Sequence, residues 1–150
     1  MAHVEHERID DVATVLGGKR TLGAAISDRD EMRRAVKRGL PFKSLEALAH
    51  TLHIEDEQEV AAVAGIAPRT LARRKASRTL SPEESDRLYR VARVAARASD
   101  VLGSTEKAER WLKKPNQALG GEAPLHMLDT DIGARQVEAV LGRIEHGVAS

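Results

Sequence analysis

Cysteine is absent from the 150 residues, and aromatic side chains are limited to one Trp, one Tyr and one Phe. Without cysteine the chain can form neither a disulfide framework nor a thiolate zinc site. With so few rings, the core must be built from Ala, Val, Leu and Ile, and Ala-, Leu- and Arg-rich usage favours helix throughout. No run of alternating β-branched residues is long enough to read as a strand. No segment approaches the ~20 apolar residues that span a bilayer. The opening Met1-Ala2-His3-Val4-Glu5-His6 has neither the basic start nor the apolar stretch of a secretory signal. Tandem repeats and low-complexity tracts are missing as well. The expectation is an all-α, cytoplasmic protein of bacterial type, large enough for one ordinary domain or two small ones.

Catalytic signatures are equally scarce. His3 and His6, and His50 and His53, are spaced i,i+3 but lack supporting carboxylates or an H-E-x-x-H pattern, so no metal site is expected. Leu16-Gly17-Gly18-Lys19-Arg20-Thr21 does not have the spacing of a phosphate-binding loop. There is no serine elbow, cysteine nucleophile or carboxylate dyad. Neither an enzyme nor a bound cofactor is expected.

Charge of one sign is also not in excess, since the formal net charge is +1. Its distribution is uneven, however. Glu55, Asp56, Glu57 and Glu59 form an acidic run, and a basic block follows: Arg69, Arg73, Arg74, Lys75, Arg78, Arg87, Arg90, Arg93 and Arg97 against Glu83, Glu84 and Asp86. That block is the candidate anion-binding region.

Residues 1 to 28 carry little readable pattern, because Gly17-Gly18 and Gly23 break any long helix. A short helix is expected from Asp28 or Asp30 to Arg38, ended by Gly39 in a left-handed conformation with Pro41 beyond. Ser44 is expected to cap a helix carrying Leu45, Leu48, Ala49 and Leu52. Glu57 to Arg74 then reads as a helix-turn-helix. Ala61 supplies the small residue where two helices touch, and Gly65 the positive φ of the turn. Val60, Ala64, Ile66 and Leu71 supply the apolar positions, and Pro68 opens the second helix. In such a unit the second helix enters the major groove. Here it would present Arg69, Thr70 and Arg73 to bases, with Arg74, Lys75 and Arg78 near phosphates. An ordinary helical hairpin with a solvated basic face is the competing reading.

Ser81-Pro82-Glu83-Glu84 is a capping box. It opens a long helix to about Ser99, with an apolar stripe of Leu88, Val91, Val94, Ala95 and Ala98. Arg87, Arg90, Arg93 and Arg97 form a second, basic stripe, which could meet DNA, a partner subunit or a protein ligand, or simply face solvent. Ala and Val at close-packing positions would also let a second copy approach, so a homodimer through this region is expected. Gly103-Ser104-Thr105 is the expected joint between residues 1–100 and 101–150. A helix from about Thr105 to Lys113 stops before Pro115. Thr130 can cap a last helix with Ile132, Val137, Val140, Leu141 and Ile144 as its apolar face, and Gly147 ends it.

The segment between those last helices is the most specific in the chain. It reads Trp111-Leu112-Lys113-Lys114-Pro115-Asn116-Gln117-Ala118-Leu119-Gly120-Gly121-Glu122-Ala123-Pro124-Leu125, then Leu128-Asp129-Thr130-Asp131-Ile132-Gly133-Ala134-Arg135-Gln136-Val137. Amphipathic periodicity does not require Trp, Pro, Asn, Gly-Gly, Pro and Thr at set offsets. The pattern resembles the C-terminal toxin-binding domain of Xre/MbcA/ParS antitoxins over about the last fifty residues. Gly65 through Tyr89 likewise resembles the matching part of Xre-type antitoxins, which carry a Cro/repressor-like helix-turn-helix.

The resemblance implies an antitoxin in two halves: a helix-turn-helix that binds the promoter of its own operon, and a small helical half that binds the toxin. The implied partner is a RES-domain toxin that consumes NAD, held in a hetero-oligomeric complex and blocked sterically. The matching positions are Trp111, Pro115, Asn116, Leu119, Gly120, Gly121, Pro124, Leu128, Asp129, Thr130, Gly133 and Val137. From the residues alone, Trp111 is either the anchor of a small core or an interface hot spot. Direct toxin contacts are expected from Asn116, Arg135 and the tail from Arg143 through His146 and Val148 to Ser150. A stand-alone helix-turn-helix regulator or partition-type factor is the alternative.

Overall fold

A computed structural model describes residues 8–147; His3, His6, Val148 and Ser150 lie outside it. Among the described residues the regular structure is helical: α1 (Ile9–Val15), α2 (Gly18–Leu22), α3 (Arg29–Arg38), α4 (Phe42–Thr51), α5 (Glu57–Val63), α6 (Pro68–Ser77), α7 (Pro82–Leu102), α8 (Thr105–Lys113) and α9 (Asp131–Glu145). Two 3-10 turns, Gln117–Leu119 and Pro124–Met127, join α8 to α9. The all-α expectation holds. No helix among the described residues is long and apolar enough to cross a membrane.

The 21-residue helix α7 is the spine. Ser81 accepts from the Glu84 backbone N–H while the Glu84 carboxylate accepts from the Ser81 N–H, closing the capping box predicted from the sequence. Leu88, Val91, Val94, Ala95 and Ala98 are buried. Helices α1 and α3 pack against this spine, and so do α8 and α9. One cluster of buried side chains therefore runs from Ile9 to Leu141. The division expected between residues 100 and 101 falls within α7 itself, just before Gly103 ends it.

Residues 8 to 22 are structural despite their weak pattern. Ile9, Val12, Ala13 and Leu16 bury against the rest of the core. The glycines between α1 and α2 divide a would-be long helix into two short ones.

Two local expectations are corrected. Ser44 does not cap α4, because the helix starts at Phe42 after Pro41, and Ser44 is buried one turn in. The pre-set φ of Pro41 leads into the helix in its place. Gly39 has a positive φ of 94° but a ψ of 120°, which is not the left-handed cap. It requires glycine on two counts: its positive φ strains any L side chain, and a Cβ there would lie 2.3 Å from the Leu80 carbonyl oxygen. This is where the α3–α4 loop crosses the α6–α7 loop. The crossing is tied by Leu80 N–H to Leu40 O (2.9 Å), Phe42 N–H to Arg78 O (3.0 Å) and Leu40 N–H to Ser85 Oγ (2.7 Å).

The arginine stripe of α7 is not a solvated face. Arg87 donates through Nε to Ala64 O at 2.8 Å, holding the turn between α5 and α6. Arg90 donates to Leu128 O at 3.1 Å. Arg93 forms a bidentate pair with Glu138 of α9 at 2.9 and 3.1 Å, with both side chains only 21% exposed. Arg97 pairs with Glu145 at 3.0 Å. Forked, charge-assisted bonds of this kind are geometrically demanding, so the stripe fastens α7 to the turn on one side and to the C-terminal helices on the other.

Candidate functional site

Helices α5 and α6 form the expected helix-turn-helix. Asp56 caps α5 by accepting from Gln58 N–H. At the far end Ile66 N–H bonds to Ala61 O (2.7 Å) and Gly65 N–H to Ala62 O (3.0 Å), with Gly65 at φ 72°. These are the paired 6→1 and 5→2 bonds of a Schellman stop. The stop turns the chain sharply enough for Pro68 to start α6 four residues after Ala64.

On α6, Leu71 is buried against the core. At ~100° per residue, Arg69 and Arg73 lie about 160° away on either side, on the outward face. Both are exposed, and neither has an ion-pair partner among the described residues. Thr70 is half-buried at the edge of that face. Arg74 and Lys75 flank Leu71 and are engaged within the fold: Arg74 with Glu84 at 2.7 and 3.2 Å, Lys75 with Glu57 at 3.1 Å. Arg78 is exposed at φ 70°, as the left-handed residue that ends α6.

In the C-terminal half most of the motif has a conformational reason. Ser104 caps α8, as Thr130 caps α9. Trp111 is half-buried against the core beside buried Leu112 and Ala108. Asn116 organises the loop after Pro115. Its Oδ1 accepts from Ala118 N–H at 2.9 Å, its N–H donates to Glu122 O at 3.0 Å, and its carbonyl accepts from Leu119 and Gly121. The loop can close only because Gly120 and Gly121 hold φ at 68° and 89°. Leu119 points inward and is buried, whereas both glycines are exposed.

The last helix differs from expectation at one residue. Ile132 is 72% exposed and is not part of the buried face. Five residues separate it from buried Val137, which places the two about 140° apart on a helix. The inward face is Ala134, Val137, Val140 and Leu141. Outward, Ile132, Arg135, Gln136, Ala139, Arg143 and His146 fall within one stripe, and all are exposed. The structure thus puts three residues expected at the toxin contact (Arg135, Arg143 and His146) on one surface with Ile132. Arg135 reaches back to Asp131 at 2.8 Å, and this bond, with the more distant Arg90 and Arg93, holds the Asp131 carboxyl below its ordinary value despite some desolvation.

The described residues contain no cluster of three His, Asp or Glu side chains arranged to hold a metal. What they define is a helix-turn-helix protein with a compact, motif-bearing helical half built on the same spine.

The comparisons with known proteins agree. Residues 31–93 match the antitoxin Xre-like helix-turn-helix domain, and residues 97–147 match the antitoxin Xre/MbcA/ParS C-terminal toxin-binding domain. An "Antitoxin Xre" of Photorhabdus laumondii is 33% identical over 133 residues, covering 87% of this chain and 89% of that one. An "Antitoxin Xre" of Yersinia enterocolitica is 32% identical over the same shares. A Sphingobium protein named "Prs ADP-ribosylating antitoxin" is 28% identical over 122 residues, covering 75% of this chain and 76% of that one. The chain belongs to the Xre antitoxin family. It is an antitoxin with a toxin-binding domain, and all three of these relatives are named antitoxins, the Sphingobium one with ADP-ribosylation in its name.

Proposed function

We propose that the chain binds and sterically inhibits a RES-domain, NAD-consuming toxin through the outward stripe of α9, the Asn116–Gly121 loop and the residues that follow 147. The observation that carries this reading is Ile132, the one large apolar side chain held in solvent among the described residues. It lies on a helix face whose other members are polar or small, inside the segment that matches the toxin-binding domain. Within that polar face Ile132 would supply the apolar centre, and its neighbours the polar rim, of an interface with the toxin. The Sphingobium relative's name links an antitoxin to ADP-ribosylation, a reaction that consumes NAD. The toxin complex is hetero-oligomeric, and the antitoxin is a homodimer. Both act in the cytoplasm.

The test is co-expression with the neighbouring open reading frame while cellular NAD is followed. The intact chain restores growth and NAD. Ile132→Asp with an unchanged melting curve weakens toxin binding about ten- to a hundred-fold, the range for loss of a buried anchor. A harmless neighbour rejects the reading in favour of a stand-alone regulator, whereas full rescue and undiminished binding by a folded Ile132→Asp reject the outward stripe of α9 as the contact surface.

The same protein represses its own promoter through α6, with Arg69, Thr70 and Arg73 toward bases and Arg78 toward phosphate. Arg74 and Lys75 stand beside the phosphates while fastened to Glu84 and Glu57. In a gel-shift salt series, Arg69→Ala and Arg73→Ala each cost about 1–3 kcal/mol if they pair with guanine. Loss of a phosphate contact lowers the salt slope by about one. Unchanged binding by a folded double variant rejects α6 as the reading helix.

A further inference from the structure

Between α3 and the start of α7 lies an open groove of ≈ 550 Å³. Met32, Val36, Pro82 and Tyr89 form its apolar lining. Its two banks carry opposite charge. On α3, Arg29, Arg33 and Lys37 recur every fourth residue along one edge; on α7, Glu83 and Asp86 line the other. All five are exposed. Arg33 is paired with Asp30 of its own helix at 2.9 Å, whereas Arg29, Lys37, Glu83 and Asp86 have no ion-pair partner among the described residues. The groove keeps the two banks from neutralising each other within one molecule. Arg29 is the first residue of α3, where the helix dipole disfavours a cation, so it gains from any carboxylate brought to it.

We propose that this groove is the homodimer interface, occupied by the same groove of a second copy. A two-fold axis running along the groove exchanges its banks, so the α3 edge of each copy faces the α7 edge of the other. Arg29 and Lys37 then meet the partner copy's acidic edge twice over, and the apolar linings close on each other. An axis across the groove would set like charges together. A polar rim of matched charge around an apolar centre is the anatomy of a specific interface. The interface sits beside the reading helix, because only the residues from Arg78 to Ser81 separate α6 from α7. Dimerisation there would tie two α6 helices together for two half-sites. The inference rests on the homodimer reading and assigns it a surface.

Sedimentation equilibrium of the full chain tests it. Wild type sediments at twice the chain mass. E83K/D86K sets two basic edges against each other, and R29E/K37E two acidic ones. Each is expected at the chain mass, with dimer affinity down at least ten-fold. An equimolar mixture of the two has complementary edges on both sides and returns to twice the chain mass, as does the quadruple variant. Should a double variant melt early, the single exposed changes K37E and D86K are mixed in the same way. A wild-type chain that stays monomeric at tens of micromolar overturns both the dimer and its face. A wild-type dimer that survives in the folded charge variants, or folded variants whose mixture stays monomeric, overturns the face alone.

Discussion

Glu84→Gln is expected to cost about 2–3 kcal/mol at neutral pH, the sum of a weakened helix cap and a lost charge-assisted pair. The Glu84 carboxylate has two jobs and is only 8% exposed. It closes the capping box at the Ser81 N–H and grips the Arg74 guanidinium on α6. A glutamine retains part of the cap but leaves a half-buried arginine without its counter-charge. At this chain length the loss corresponds to a melting temperature lower by roughly 6–10 °C. Burial pushes the Glu84 carboxyl upward, but the bonds from Arg74 and Ser81 together outweigh it, so its pKa lies below the ordinary 4.5. A depressed carboxylate adds stability that is fully present above 4.5 and is lost as the pH falls through the folded-state value. The gap between wild type and Glu84→Gln should therefore be constant from neutral pH down to about 5 and close on further acidification. Denaturant melts across that range decide it; a gap that stays constant into strong acid means the carboxylate is not ionised in the native protein.

The particular residues that were hard to read share a cause. The helix-turn-helix was legible because its turn demands a glycine at positive φ and its contact demands alanine, and both requirements are local. The caps at Ser81 and Thr130 were legible for the same reason. The arginines of α7 look identical to a solvated stripe, because their partners are backbone carbonyls at Ala64 and Leu128 and carboxylates 45 and 48 residues away. Only the tertiary fold supplies those partners. Residues 9 to 16 failed as an amphipathic pattern because α1 has only seven residues, too few for a period to stand out. Ile132 has a different cause. Its hydrophobicity suggested a core place, although its five-residue offset from Val137 already put it on the other side of the helix. In the C-terminal motif the offsets were visible but their reasons were not. Asn116 and the paired glycines close a loop, and a glycine in α9 allows a close approach.

That last glycine carries the other large effect. Gly133 lies in the first turn of α9, where alanine ordinarily adds up to ~1 kcal/mol of helix propensity. Here a Cβ would sit 1.9 Å from the Met127 carbonyl oxygen and 2.9 Å from its carbon. Those are backbone atoms of the 3-10 turn Pro124–Met127, whose Leu125 is buried beneath it. No side-chain rotation relieves the clash, so either α9 or the turn must move. Moving α9 strains the Arg93–Glu138 pair, and moving the turn disturbs the Arg90 bond to Leu128. Gly133→Ala is therefore expected to destabilise by about 2–3 kcal/mol net, within the range for overpacked sites, and, on the proposed contact surface, to weaken toxin binding by displacing Ile132 next to it. Gly142 supplies the control. It lies in the same helix, and a Cβ there would meet only Arg97 Nη2, at an ordinary 3.6 Å. Gly142→Ala should raise stability by about 0.5–1 kcal/mol through propensity alone. Two identical substitutions nine residues apart should thus move the melting temperature in opposite directions. If both raise it, the packing of α9 onto the turn is looser than the close approach at Gly133 requires.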